Sequence, residues 1–267
     1  MLNDDEFLRV SKDIIKAAAS ISAPLWWLSG DTTCQRRHRN GSAFFLRTAS
    51  TLFGVTAAHV VEGWKKDCKR NGYVPLNLTG SKDVTLEMDW GARVIASHPG
   101  IDVATFTITE SEIAALGQSI FTDRPEPWPT KVGEWVSYCG YPAAAVRSLK
   151  ASETAFGAST ATGRLTTIDD CKLNIQIERD KLAPVLGSGL PPKAFNFGGI
   201  SGGPVLRNFL TPQKQPWRVL GGVIIQGTGA RDPSGQFIED LELVTARRAC
   251  FVNPDGTLDI ARWENLP

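Results

Sequence analysis

FNFGGISGGPVL, residues 195–206, sets four glycines and a proline around a single serine, Ser201. Glycine inside a helix or strand costs about 0.5–1 kcal/mol relative to alanine, so four of them around one hydroxyl need a reason. One reading is a plain turn. The other is a backbone that must bend so that Ser201 stands beside unpaired N–H groups. Gly199, two residues before the serine, can turn its N–H toward the same point as that of Ser201, because no Cβ obstructs the conformation. Two such donors suit a developing oxyanion, and losing one costs about 2.7–4 kcal/mol of transition-state stabilisation.

How the stretch is read decides the fold. Gly199-Ile200-Ser201-Gly202-Gly203 matches G-x-S-x-G, the strand–turn–helix elbow of α/β hydrolases. That fold needs a helix behind the serine and a histidine after it. The three histidines, His38, His59 and His98, all precede Ser201, and Pro204 opens a β-like run. The elbow reading fails, and an all-β setting remains.

Outward from the loop, short apolar or alternating segments predict strands over 134–141, 161–168, 172–178, 203–207, 218–226 and 242–246. An earlier set covers 23–30, 42–48, 50–57, 83–88, 92–97 and 103–108, punctuated by turn formers such as Asn40-Gly41, Gly80 and Pro99-Gly100. Between the sets, DRPEPWP (123–129) carries three prolines and predicts an extended linker. Upstream, Phe7, Val10, Ile14, Ala17, Ala18 and Ile21 recur at helical steps, predicting an amphipathic helix over 4–19 that serves as a strut or an oligomer contact. Two all-β halves of similar size point to a pair of barrels. The expected division is a helical segment 1–22, a first barrel 23–122 with His59 and Asp102, a linker 123–130, and a second barrel with the C-terminal tail, 131–267, holding Ser201.

Composition excludes several classes. With 29 basic and 28 acidic residues in 267, there is no global electrostatic case for nucleic acid or anionic lipid. The basic run CQRRHRNGS (34–42) reads as a solvated hairpin-like turn. No window of about 18 apolar residues exists, and the N-terminus opens on Asp4, Asp5 and Glu6 rather than a secretory leader, so a cytoplasmic protein is expected. Five scattered cysteines without a C-x-x-C pair read as reduced thiols, which argues against a disulfide framework and a zinc site. No metal and no cofactor are expected.

Two further residues complete a constellation. His59 follows an apolar strand in GVTAAHVVEG, and Asp102 stands at the mouth of another in HPGIDVATFTI. An aspartate there would be buried and would need a donor, which an imidazole N–H supplies. A nucleophilic serine needs a base, a carboxylate that orients the base, and N–H groups for the oxyanion.

TAAHVV, DVATFTI and GGISGGPVL together resemble the chymotrypsin-like (trypsin-like) serine proteases, in their disulfide-free bacterial and viral branch, over about residues 23–250. The resemblance implies two six-stranded antiparallel β-barrels of the chymotrypsin type with the site between them. It implies His59 as general base, Asp102 as its orienter, Ser201 as nucleophile, and Gly199 and Ser201 N–H groups as the oxyanion hole. Phe195 falls at the base of the primary pocket. Ile224, Gln226 and Gly227 fall on its wall, with Gly227 leaving the entrance open. That implies a shallow apolar pocket for small or medium uncharged side chains. Ile200 stands where secreted relatives carry an aspartate that pairs with a new N-terminus, so activation by that ion pair is not expected.

The expected function is an intracellular serine endopeptidase with a protein or peptide substrate and a regulatory protein partner, but neither nucleic acid nor membrane. The competing readings are a protease-like binding module or scaffold, and an esterase or acyl transferase on the same three residues.

Overall fold

The computed structural model describes residues 4–30, 37–123, 129–150, 153–177, 195–211, 216–231 and 237–266. Most of the predicted linker and the start of the basic run lie outside them. Helix α1 (Asp4–Ser20) leads into eight strands of one sheet: β1 (Ser22–Ser29), β2 (Arg37–Arg47), β3 (Leu52–Thr56), β4 (Asn77–Thr79), β5 (Thr85–Glu87), β6 (Val94–His98), β7 (Val103–Thr107) and β8 (Phe121–Thr122). Helices α2 (Ala58–Asn71), α3 (Trp90–Arg93) and α4 (Glu110–Leu116) interrupt them. The second half holds β9 (Trp135–Gly140), the hairpin β10 (Val146–Lys150) and β11 (Glu153–Phe156), then β12 (Ser159–Ile168), β13 (Lys172–Gln176), β14 (Pro204–Leu210), β15 (Pro216–Arg231) and β16 (Phe237–Arg248), and ends on helix α5 (Ile260–Glu264).

The second half closes into a six-stranded barrel in the order β12-β13-β16-β15-β14-β9. Its strands alternate, so Val136, Tyr138, Leu165, Leu173, Ile175, Val205, Ile224, Val244 and Ala246 fill the interior. The first half differs from the expected barrel. Its ladder runs β5-β4-β1-β2-β3-β7-β6, with β8 parallel to β2, and among the described residues no pairing joins β5 to β6. The chain passes between those two edges through α3, where Trp90 is buried against Phe106. With those two edges unpaired, this half is a curled sheet rather than a closed barrel. With five α-helices among the described residues, the chain is mostly β, not all-β.

Asn40 and Gly41, read as turn formers, sit inside β2 opposite Trp26 and Leu25 of β1. Gly41 is needed there for contact rather than for a turn, since a Cβ would meet the Val60 side chain at 2.5 Å. Arg37, His38 and Arg39 of the basic run pair with Ser29, Leu28 and Trp27 of β1, so this part of the run is ladder and not loop.

A third apolar cluster joins the halves. Phe44, Val55 and Val103 of the sheet meet Cys139, Leu206 and Val223 on the outside of the barrel, with Ala18, Ile21 and Phe251 around them. Although α1 precedes the sheet in sequence, it packs on β9, β12 and β14 of the barrel. Ile14, Ile15 and Ala18 form its buried stripe, so within this chain it is a strut. Among the described residues no helix is long and apolar enough to cross a membrane. Cys68, Cys139, Cys171 and Cys250 are unpaired thiols, and Cys34 lies outside the described residues.

Candidate active site

α2 begins directly after β3, and His59 occupies its first turn. Ala57 at the N-cap has no side chain able to bond the free N–H groups there. Asp102, 43 residues away, does that work instead: its Oδ1 accepts the His59 backbone N–H at 2.9 Å. A carboxylate carries the favourable charge for a helix N-terminus. The same carboxylate receives the imidazole, with Nδ1 at 2.9 Å from Oδ2 and 3.1 Å from Oδ1. An ionised carboxylate only accepts hydrogen bonds, so Nδ1 carries the proton and Nε2 is left with its lone pair. The His59 side chain is 49% exposed and Asp102 20%, so the carboxylate is partly rather than fully buried, and the imidazole edge faces solvent.

Asp102 has φ +59°, one of two non-glycine residues in the left-handed region among those described. Its turn is held from both sides. Asp102 N donates to His98 O at 2.8 Å, and Ile101 N donates to His98 Nδ1 at 3.1 Å. From the barrel, Arg247 reaches over: its Nε donates to Ile101 O at 2.5 Å and a terminal nitrogen to Gly100 O at 3.2 Å. The guanidinium also lies 4.5 Å from the Trp263 ring centroid. Desolvation holds the Arg247 pKa below its ordinary value, opposed by Cys171 and by Asp102.

Ser201 stands in a turn between the barrel interior and β14. Gly199 and Gly202 have φ +104° and +91°, conformations that L side chains rarely adopt. A Cβ on Gly202 would fall 2.0 Å from Ser42 O and 2.9 Å from Ala57 N, so the loop presses on the residues just before His59. Ile200 is fully buried in the barrel core, where an aspartate could not remain unpaired. The Ser201 hydroxyl donates to Ile225 O at 3.3 Å. Ile225 is the extra residue of a bulge between Ile224 and Gln226, which turns that carbonyl toward the loop. Among the described residues no hydrogen bond joins Ser201 to His59, and neither Gly199 N nor Ser201 N has an acceptor.

The predicted specificity residues are only partly available. Phe195 is half-buried, edge-on to Phe197 with centroids 5.1 Å apart, and Gln226 is exposed. Ile224, expected on a pocket wall, is fully buried inside the barrel because its strand position points inward. At Gly227 a Cβ would meet Ile200 Cδ1 at 2.5 Å, so a larger residue does not fit there. Cavities of about 410 and 370 Å³ lie elsewhere and include none of His59, Asp102 or Ser201. Among the described residues no group of three His, Cys, Asp or Glu side chains is arranged for a metal ion.

Three features escape the reading of the sequence: α2, Arg247 and Ser42. A signal for α2 was present, since Val61, Trp64 and Cys68 recur at helical steps before Lys69, Arg70 and Gly72. Arg247 and Ser42 carry no local signal, because their partners lie far along the chain.

No family model matches the chain, and no curated protein matches it. Among solved structures it is similar to the active form of the Rv3671c protease from M. tuberculosis, with 18% identity, 88% of this chain and 79% of that one covered, and a TM-score of 0.48. It is also similar to AL20, a thermostable serine protease from an extremophilic microorganism, at 12% identity, with 93% and 100% covered and a TM-score of 0.48. Deg5 matches at 14% identity, with 84% and 87% covered and a TM-score of 0.44. At these scores the chain's own residues must carry any functional reading.

Proposed function

We propose that the chain is a serine endopeptidase acting through an acyl-enzyme on Ser201. The observation that carries this reading is the pairing of His59 Nδ1 with Asp102, which leaves Nε2 free as a base, in a chain whose Gly199 and Ser201 N–H groups have no acceptor among the described residues. In the proposed reaction Ser201 Oγ leaves Ile225 O by rotating about χ1 and attacks the scissile carbonyl carbon, while its proton passes to His59 Nε2. Hydrogen bonds of this kind commonly tighten only once substrate is bound. The oxyanion is held by Gly199 and Ser201 N–H. The C–N bond breaks as His59 returns the proton to the leaving amine. Water then attacks the ester, gives a proton to His59, and releases the acid as Ser201 regains its hydrogen.

The substrate is a protein or peptide, with a preference for small or medium uncharged side chains beside Phe195 and Gln226, neither of which is charged. The chain divides near 123–130 and works in the cytoplasm, a reducing compartment that suits its unpaired thiols. Activity is held in check by a protein partner rather than by cleavage, since Ile200 replaces the activating aspartate. Incubation with a random peptide library, in parallel with an ester panel, tests the reading. Cleaved peptides from the wild type and none from Ser201→Ala are expected. Ester turnover alone would favour an esterase or acyl-transferase role, and no turnover of either would favour a binding scaffold.

A further inference from the structure

We propose that Ser42 is the positioning residue for the oxyanion donor at Gly199. The inference rests on the peptidase reading and names how the first half of the chain sets the geometry of the loop in the second. Ser42 lies on β2, in the half that carries His59 and Asp102, and is fully buried. Its hydroxyl donates to Gly199 O at 3.0 Å and accepts Tyr141 N–H at 2.9 Å. Its backbone N–H donates to Ser201 O at 2.7 Å, and its carbonyl accepts the Thr56 hydroxyl at 2.7 Å. Each polar atom of one small residue is therefore engaged, three of the four bonds reaching the other half.

The consequence is directional. The N–H of Gly199 belongs to the peptide unit that begins at Gly198 O, and Ala143 N holds that oxygen at 2.7 Å. The next peptide unit is held at Gly199 O by the Ser42 hydroxyl. Ala143 follows Tyr141 by two residues, and Tyr141 is tethered to the sheet three times: N–H by Ser42, carbonyl by Asn40 Nδ2, and its own hydroxyl to Ser22 O at 3.0 Å. Gly199 can rotate at little steric cost, so without anchors on both sides its N–H has no fixed direction. Removing the Ser42 hydroxyl frees the Gly199 carbonyl and leaves the buried Tyr141 N–H unsatisfied, loosening both anchors together.

The rate of covalent labelling by a fluorophosphonate reads this out, because its phosphoryl oxygen must enter the same pair of N–H groups. Ser42→Ala should label at least about tenfold more slowly than wild type, short of the 10²–10³-fold expected for outright loss of a donor. Ser42→Cys, which keeps the volume and a weak donor, should recover part of the rate. On a cleaved peptide the loss should fall on kcat rather than KM. Thr166→Val removes a hydroxyl bond to Asn174 O elsewhere in the barrel and serves as the stability control. It should lower Tm without slowing labelling. The inference is overturned if Ser42→Ala labels within twofold of wild type, or if Thr166→Val slows labelling as much for the same loss of Tm. A wild type that never labels overturns the peptidase reading, and the role of Ser42 falls with it.

Discussion

At the scale of single residues, the decisive feature is that Asp102 does two jobs with one carboxylate. It fixes the His59 tautomer and closes the open end of α2. Asp102→Asn separates these. Asparagine tolerates the left-handed backbone that φ +59° demands, so the turn should survive. An amide can present an N–H to the ring and force the wrong tautomer, so turnover or labelling should drop on the order of 10⁴-fold while Tm changes little. Steady-state kinetics alongside thermal melts checks this, and a mild loss would place the orienting group elsewhere. His59, Asp102 and Ser201 could be singled out because each sits beside an apolar strand end, in motifs that resemble the chymotrypsin-like proteases. The strained φ of Asp102 could not, because its turn is held by the His98 carbonyl and by the distant Arg247 guanidinium rather than marked by a local residue pattern.

At the scale of elements, local signals work where local forces decide. The periodicity predicts α1 over 4–19 and the helix spans 4–20, its stripe of apolar residues being enough to define it. Strand positions hold where short buried runs decide, as in 42–48, which overlaps β2, and 103–108, which overlaps β7. The reading fails at Asn40-Gly41, where contact with Val60 outweighs turn preference, and at the β10–β11 hairpin, whose Phe156 stacks on Trp26 of the other half at 5.5 Å. α4 shows a purely local device: Thr109 and Glu112 form a reciprocal cap at its start. The Arg93 guanidinium, with help from Thr109 and against the cost of burial, holds the Glu112 carboxyl at about 2. A carboxyl lowered in the folded state adds stability above its unfolded value near 4.3, and that stability fades as pH falls toward 2. Glu112→Gln should therefore lower Tm at pH 7, by an amount corresponding to about 1–3 kcal/mol, and the difference from wild type should vanish near pH 2. A pH-independent difference would mean that shape, not charge, holds the cap.

At the scale of the whole molecule, the proposed site depends on two halves being locked together. The closed barrel supplies Ser201, the curled sheet supplies His59 and Asp102, and the shared cluster around Phe44, Leu206 and Phe251 fixes one against the other. Two strand-rich halves are legible in the spacing of apolar segments. The open edge at α3 is not, since closure depends on whether distant edges meet. Arg247 is the polar counterpart of the apolar lock, nearly buried and bonded to the Asp102 turn. Arg247→Met keeps much of its bulk but strips the donors from Gly100 and Ile101 carbonyls. It should cost about 2–3 kcal/mol of stability and slow labelling, measured by denaturant melts and probe kinetics. An unchanged labelling rate would show that the Asp102 turn holds without the barrel. The central claim is that a hydroxyl from one half is activated by an imidazole from the other. Intact-mass and peptide-mapping spectrometry after treatment with a fluorophosphonate tests it most directly. The account predicts a single phosphonyl adduct on the peptide containing Ser201, absent in Ser201→Ala and formed far more slowly in His59→Ala. An adduct of equal extent in Ser201→Ala, or none in the folded wild type, would contradict it.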